Sequence, residues 1–280
     1  MTVRGFLLSL FPGIDVLGLG FEYEGFTVVR GPDPMWGKAH DVRRFHPPSR
    51  VFEGVIGGPP CQAHSRLASV VQARYGPGAV ATDFIPEFAR VVSEAQPVWF
   101  LMENVPDAPS PEVPGYAIHS FTLNLRHLDA GNGVGYVQHR RRRFWFGILG
   151  KDWVDLRPHL NYAVLENPDF APAVLASGLF RGRKRGHIRL RAKRGPSRAT
   201  VREALQLQGL PEDFFQGTPF TVSGQQRLIG NAVPLPMARA LARAIRHVIA
   251  ETRSNVDISI GPSPHHIPGS VPSLGWRPLR

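Results

Sequence analysis

The chain has 280 residues, 42% of them hydrophobic and 20% charged, so it is long enough to bury a sizeable core. Its 29 glycines and 27 prolines indicate many turns, while the composition excludes collagen, a coiled coil and a wholly disordered chain. With 33 basic and 22 acidic residues the net charge is +11, which favours a polyanionic partner, nucleic acid before a membrane surface.

The first half of the sequence alternates short apolar segments with helical ones. One helix is predicted at 84–95, and buried strands are predicted at 5–11, 26–30, 51–56, 98–102 and 143–149. This alternation is typical of a parallel sheet that carries helices on both faces. In such a sheet the ligand crevice lies at the carboxyl ends of the strands, where the glycine-rich and polar motifs of this chain fall.

The second half is less regular. The stretch from Phe170 to Arg202 contains ten basic residues and no acidic one. Thr200 and Glu203 form a capping-box pattern that predicts a helix over 200–214, and a longer helix is predicted over 234–251. We predict a disordered tail over 252–280, because that stretch is rich in proline, serine and glycine.

Cys61 is the only cysteine, so an internal disulfide and a cysteine-rich zinc site are excluded. It follows a predicted strand in the segment VIGGPPCQ, where two prolines stiffen the loop and two glycines permit close approach of a ligand or another backbone. Position alone leaves two interpretations open, a nucleophile at the ligand edge of the sheet and a small buried hydrophobic residue.

Further motifs follow in a fixed order along the chain. They are the turn Phe11-Pro12-Gly13, an acid after the second strand, Pro60-Cys61-Gln62, Glu103-Asn104-Val105, the run Q-x-R-x-R from Gln138 to Arg142, T-x-R-E-A from Thr200, and Gly230-Asn231-Ala232-Val233. In this order, and with the only cysteine in the P-C-Q loop, they resemble the DNA (cytosine-5)-methyltransferase family over residues 5–250.

The resemblance implies an α/β fold, a Rossmann-like S-adenosylmethionine-dependent methyltransferase sheet with helices on both faces. The catalytic domain would comprise 1–150 and 197–251, and 151–196 would be a short basic target-recognition region. Its small size suggests a short target sequence or loose specificity.

The resemblance also implies covalent catalysis by four residues, Cys61, Glu103, Arg140 and Arg142. The Cys61 thiolate would add to carbon 6 of a cytosine flipped out of the duplex, and carbon 5 would then take a methyl group. The thiol pKa is expected to be lowered by Arg140 and Arg142. Glu103 would hold or protonate ring nitrogen 3, which requires a raised carboxyl pKa.

The implied cofactor is S-adenosylmethionine. Its expected contacts are Phe11, Gly13, Ile14, Asp33, Asp41, Val42, Pro60, Asn231 and Val233. Two residues depart from the family pattern: Asp15 replaces a common glycine, and Gly31 stands where a ribose-binding glutamate is usual. Either Asp33 takes over the role of that glutamate or cofactor affinity is reduced.

Double-stranded DNA is the expected partner, bound by a monomer without metal or membrane. The expected contacts are Gln62, Gln138, Arg181, Arg183, Lys184, Arg185, Arg189 and Arg191. No apolar run is long enough to span a bilayer and no signal-peptide pattern is present, so we expect a cytoplasmic protein of a prokaryotic or phage-infected cell.

Three alternatives remain open on sequence grounds. The chain could methylate tRNA, as one branch of the family does, or it could be a catalytically inactive nucleic-acid-binding relative. It could also be an unrelated cysteine hydrolase with His64 as the partner of Cys61, although three residues along a tight loop make a poor dyad.

Overall fold

The computed structural model describes residues 5–64, 73–76, 81–150, 152–176 and 199–259. Its main sheet has six strands in the order β2-β1-β3-β4-β7-β5. These strands are β1 (Phe6–Leu10), β2 (Thr27–Arg30), β3 (Phe52–Gly57), β4 (Trp99–Asn104), β5 (Tyr116–Asn124) and β7 (Arg141–Leu149). A second sheet pairs two short strands, β6 (Gln138–His139) and β8 (Ala171–Pro172).

Strand direction differs between the two halves of the main sheet. Strands β1 to β4 are parallel, but β7 runs antiparallel to both β4 and β5. The prediction of a parallel sheet is therefore wrong for β7. Because β7 returns along β5, its connection needs no helical crossover. Strand β5 was not predicted.

Helices cover both faces of the sheet, as predicted. They are α1 (Val16–Tyr23), α2 (Ile85–Ala95), α3 (Val201–Leu207), α4 (Val222–Asn231) and α5 (Leu235–Ser259). On one face α1 and α5 share a buried core with Trp99 and Phe146, and on the other α2 packs on Phe100 and Met102. The short helices α1 and α4 were not predicted, because glycines interrupt their sequences.

A proline-rich strap joins β4 to β5, where parallel strands are usually joined by a helix. Residues 105–115 contain Pro106, Pro109, Pro111 and Pro114 and form no helix. The strap nevertheless covers the sheet, because Ala108 and Val113 are 2% and 5% exposed and belong to the core of the α2 face.

The last two predicted helices differ from the structure in length. The capping box of Thr200 and Glu203 is present, but α3 ends at Leu207. Helix α5 continues to Ser259, so a disordered tail from residue 252 is wrong at its start, and 260–280 lie outside the described residues. Within the described ranges, no helix is long and apolar enough to cross a membrane.

Candidate active site

Cys61 begins a short helical turn, Cys61–Ala63, beyond the carboxyl end of β3. The thiol is half-buried, and the turn is closed by the His64 N–H, which donates to the Cys61 carbonyl at 3.0 Å. Pro60 occupies the cap position before the turn and fixes the backbone that enters it. The nucleophile candidate therefore stands on a defined loop at the ligand edge of the sheet.

Glu103 lies near the end of the neighbouring strand β4 and is only 7% exposed. Its Oε1 forms an ion pair with Arg142 Nε at 2.7 Å. Its Oε2 lies against Gly58, where a Cβ atom would be 2.9 Å away. The close approach that the glycines permit is thus made by the Glu103 carboxylate.

Asn104 fastens the two loops together. Its Nδ2 donates to the Pro59 carbonyl at 3.2 Å, and its Oδ1 accepts from the Val105 N–H at 2.8 Å. The side chain is 1% exposed, so both bonds are shielded from water. Asn104 belongs to the E-N-V motif but was not predicted as a site residue, although a polar residue at the end of a buried strand is a signal that could have indicated it.

Cys61, Glu103 and Arg142 are called the nucleophile cluster below. Burial and the nearby Glu103 carboxylate raise the pKa of the Cys61 thiol, and the charges of Arg142 and Arg140 only partly oppose this. The expectation of a lowered thiol pKa is therefore wrong for the unliganded chain. Burial raises the pKa of Glu103, as predicted, although Arg142 and Arg140 act in the opposite direction.

Arg140 serves a different purpose from Arg142. It is 1% exposed and donates to three backbone carbonyls, those of Val174 at 2.9 Å, Gly230 at 2.8 Å and Ala232 at 2.7 Å. These bonds occupy both terminal nitrogens of the guanidinium, so of the four expected catalytic residues Arg140 is one whose terminal nitrogens already have protein partners. Only its charge acts on the nucleophile cluster.

Gln138 is likewise directed inward. It is 1% exposed and donates from Nε2 to the Leu207 carbonyl at 2.6 Å. The predicted contact between this side chain and DNA therefore does not fit its position. Gln208, which is fully buried, donates to the Ile229 carbonyl at 2.8 Å. We refer to Gln138, Arg140 and Gln208 as the interior brace, because together they tie the region before β7 to the segments around α3 and α4.

The two cofactor loops meet at the ends of β1 and β2. The Gly13 N–H donates to Asp33 Oδ2 at 2.8 Å, and the Phe11 N–H donates to the Pro32 carbonyl at 3.3 Å. Asp33 Oδ1 also accepts from the Met35 N–H at 2.7 Å. Asp33 is therefore fixed beside the first turn by two backbone donors.

A cleft with a volume of about 270 Å³ opens next to these loops. Its lining residues are Arg30, Gly31, Pro32, Ala39, His40, Asp41, Arg44 and Phe45. Asp41 is thus placed at the cleft as predicted, where it also forms an ion pair with Arg43 at 2.6 Å. That pair holds the pKa of Asp41 at about 2.

The structure gives a physical reason for each departure from the family pattern. Asp15 has a φ of 51° and accepts from the Gly18 N–H at 3.0 Å, so it supplies the left-handed conformation of a glycine and also caps α1. A Cβ atom on Gly31 would lie 3.0 Å from the Ser9 carbonyl oxygen. A side chain there would press on β1.

The other predicted cofactor residues are more scattered. Val42 and Val233 are core residues with 0% and 5% exposure. Ile14 packs against the core around α3 and α4, and Pro60 adjoins Cys61. Asn231 is exposed at the end of α4.

Of the predicted DNA contacts, Gln62 is exposed beside Cys61. The basic residues of 181–191 lie outside the described part of the chain, and so does most of the second half of the recognition region.

His64 has a partner that the sequence did not suggest. Its Nε2 lies 2.9 Å from Asp83 Oδ1, which also accepts from the Ile85 N–H at the start of α2. The ring therefore connects the nucleophile loop to the residues that precede α2. No local signal predicts this contact, because 18 residues separate the two in a stretch without regular pattern.

Comparison with known proteins agrees with this geometry. The model of the family described as C-5 cytosine-specific DNA methylase matches residues 36–170 and 175–247. The chain is 25% identical to the type II methyltransferase M.MthTI of Methanothermobacter thermautotrophicus, across 86% of this chain and 96% of that protein. It is also 25% identical to M.NgoPII of Neisseria gonorrhoeae, across 87% and 96%.

Solved structures share the fold. One is titled a putative DNA modification methyltransferase encoded within a prophage, from E. coli, with a TM-score of 0.56, 19% identity, and coverage of 88% of this chain and 100% of that one. Another is a Spodoptera frugiperda DNMT2 mutant, with a TM-score of 0.57, 11% identity, and coverage of 87% and 100%.

The family match spans well over half of the chain and includes Cys61, Glu103 and Arg142, although the first turn and Asp33 lie before it. The chain therefore belongs to the C-5 cytosine-specific DNA methylase family and is a DNA (cytosine-5)-methyltransferase.

Proposed function

We propose that the nucleophile cluster methylates cytosine in double-stranded DNA through a transient bond between Cys61 and the base. The observation that carries the proposal is the convergence of the only thiol, a buried carboxylate and Arg142 at one edge of the sheet. Carbon 5 of cytosine is a poor nucleophile, and addition of a thiolate to carbon 6 makes it reactive.

The proposed proton transfers depend on the raised pKa values of Cys61 and Glu103. Glu103, whose pKa is raised by burial, can take up a proton and donate it to ring nitrogen 3 while the Cys61 sulfur bonds to carbon 6. Carbon 5 then takes the methyl group and loses its proton to a base, after which the carbon–sulfur bond breaks to release the thiolate and ring nitrogen 3 returns its proton to Glu103. Arg142 holds the carboxylate through the ion pair at Oε1.

The same arrangement couples thiol activation to substrate binding. In the unliganded chain the Glu103 charge raises the pKa of Cys61. When Glu103 takes up a proton to hydrogen-bond ring nitrogen 3, it carries no charge and that repulsion is removed, so the positive charges of Arg142 and Arg140 then favour the thiolate. The nucleophile would thus become reactive only with a cytosine in place.

The residues near the β1 and β2 ends fit S-adenosylmethionine, whose sulfonium supplies an electrophilic methyl group when bound. Asp33 is fixed by two backbone donors and offers its remaining acceptor sites to ribose hydroxyls, while Asp41 lines the adjoining cleft. The cleft volume of about 270 Å³ lies near the lower end for ligand pockets, roughly 300 Å³, which suits the nucleoside part.

The net charge of +11 supports a DNA duplex as the partner, and the base must leave the stack to reach Cys61. We further propose that a monomer acts in the cytoplasm of a prokaryotic host, since the relatives named above come from an archaeon and a bacterium. Residues 151–196 are proposed as the recognition region.

The decisive experiment uses a duplex that contains 5-fluorocytosine, in which fluorine replaces the proton that must leave. With S-adenosylmethionine, the protein should form a covalent adduct that survives denaturation, and Cys61→Ala should form none. The matched control is the same duplex with ordinary cytosine. Methyl transfer by Cys61→Ala, or an active protein that never forms the adduct, would contradict the mechanism.

An assay of methyl transfer separates the proposed activity from the tRNA alternative. Transfer of labelled methyl groups to duplex DNA, to tRNA and to neither would indicate, respectively, the proposed enzyme, an RNA-directed relative and an inactive binding protein. We expect transfer to DNA, in agreement with the family match.

A further inference from the structure

A second group of metal-binding side chains lies outside the nucleophile cluster. His247 and Glu251 are one turn apart on α5, with His247 Nε2 3.2 Å from a Glu251 carboxylate oxygen. His159, from the turn Arg157–His159, lies beside His247 with ring centres 5.0 Å apart. One donor atom from each of the three lies within 4.8 Å of the others.

The backbone that carries this group is well anchored. Leu156 and Leu160 flank the His159 turn and are 0% and 6% exposed. They belong to the same hydrophobic core as Val248 and Ile249 of α5. The two segments are therefore held together by packing, and the relative position of the three side chains does not depend on their own weak contacts.

The chemistry of the donors selects a class of cation. Two imidazoles and one carboxylate form a ligand set typical of zinc and other divalent transition metals, whereas calcium and magnesium prefer oxygen ligands. Zinc bonds of about 2.0–2.2 Å in a tetrahedron separate donor atoms by roughly 3.4 Å. The His247–Glu251 contact already has this spacing, and both side chains are more than half exposed and free to adjust.

We propose that His159, His247 and Glu251 bind a divalent transition-metal ion, zinc first, with water completing the coordination. The ion would fasten the turn at the start of the recognition region to the last helix. This contrasts with the sequence expectation of no metal. The site is independent of the methyl-transfer chemistry, because His247 lies about 18 Å along α5 from Leu235, where the helix begins just after the G-N-A-V motif.

The test uses untagged, chelator-treated Cys61→Ala protein, so that the only thiol does not compete for metal. Titration with zinc chloride followed by calorimetry should show one ion per chain. Thermal unfolding should shift upward by about 5 °C at a hundredfold excess of zinc over Kd.

Three further variants assign the site. In that background, His159→Ala, His247→Ala and Glu251→Gln should each weaken zinc binding by about tenfold or more. His46→Ala is the matched control, since His46 is an exposed histidine that pairs with Glu94 at 3.0 Å. Among the described residues, this pair has no third metal-ligating side chain beside it. Saturable binding that survives all three substitutions, or no saturable binding, would overturn the proposal.

Discussion

The nucleophile cluster and the interior brace use similar polar side chains for opposite purposes. Gln138, Arg140 and Arg142 alternate along one short stretch, and yet Arg140 donates to three fixed carbonyls while Arg142 pairs with the titratable Glu103. A guanidinium whose terminal nitrogens are held by backbone carbonyls ties segments together and reaches the nucleophile cluster only through its charge. One paired with a buried carboxylate can respond to a proton or a substrate, so the partner and not the burial distinguishes the two regions.

The largest expected effect is at Glu103. Glu103→Gln should reduce the rate of methyl transfer about 10²- to 10⁴-fold, because the amide cannot donate a proton as a carboxylic acid does. It should also raise the rate of Cys61 alkylation by iodoacetamide at neutral pH, because loss of the carboxylate charge lowers the thiol pKa.

The rate of methyl transfer should fall while the rate of Cys61 alkylation rises, so a general loss of structure in Glu103→Gln would not reproduce both results. Single-turnover kinetics measures the first and mass spectrometry of the alkylated protein measures the second. In the unsubstituted protein, alkylation should increase with pH through a thiol pKa above the ordinary value. Slower alkylation in Glu103→Gln would show that this carboxylate does not control the thiol.

A smaller effect is expected in the interior brace. Arg140→Met leaves three buried carbonyls without their donor and should lower the free energy of unfolding by about 3 kcal/mol or more, a fall in Tm of roughly 6 °C or more. Arg141→Met is the matched control, because Arg141 is exposed on the adjacent position. Thermal unfolding followed by circular dichroism measures both, and an unchanged Tm in Arg140→Met would contradict its role as a brace.

Asp15 is a buried polar group that both holds backbone, like the interior brace, and titrates, like Glu103. Its expected effect on stability is the smallest of the three. Asp15→Ala should cost about 2 kcal/mol, since it loses the cap of α1 and keeps a positive φ. Asp15→Asn keeps both and also removes the cost of burying a charge, so at neutral pH it should be no less stable than the unsubstituted protein. Chemical denaturation at neutral pH measures both, and equal losses in the two variants would contradict a capping role.

The pH dependence of stability sharpens the role of Asp15. Burial raises its pKa from 3.8 to about 6, so the folded state binds the proton more tightly than the unfolded state. The contribution of Asp15 to stability should therefore decrease as pH rises from 4 to 6, and Asp15→Asn should remove this contribution from the profile. Asp41→Asn, which removes an exposed carboxyl with a pKa of about 2, should leave that window unchanged.

Local patterns in the sequence indicated much of the fold. Apolar runs bounded by glycine and proline predicted β1, β3 and β4, and the Thr200–Glu203 box predicted the start of α3. The proline-rich strap and strand β5 were missed because their order comes from packing on a sheet formed by distant segments. The length of α3 was misjudged for the same reason, since propensity alone does not fix where a short helix ends.

The sequence by itself determined the first four strands, the place of the only thiol and the acid near the end of the fourth strand. Those features depend on residues close in the chain, where periodicity and turn chemistry act. The tertiary structure decided which arginine serves as a brace and which faces Glu103, and it decided that the resting thiol pKa is raised. Both results depend on carbonyls and charges that lie up to 92 residues away in sequence and meet only in the folded chain.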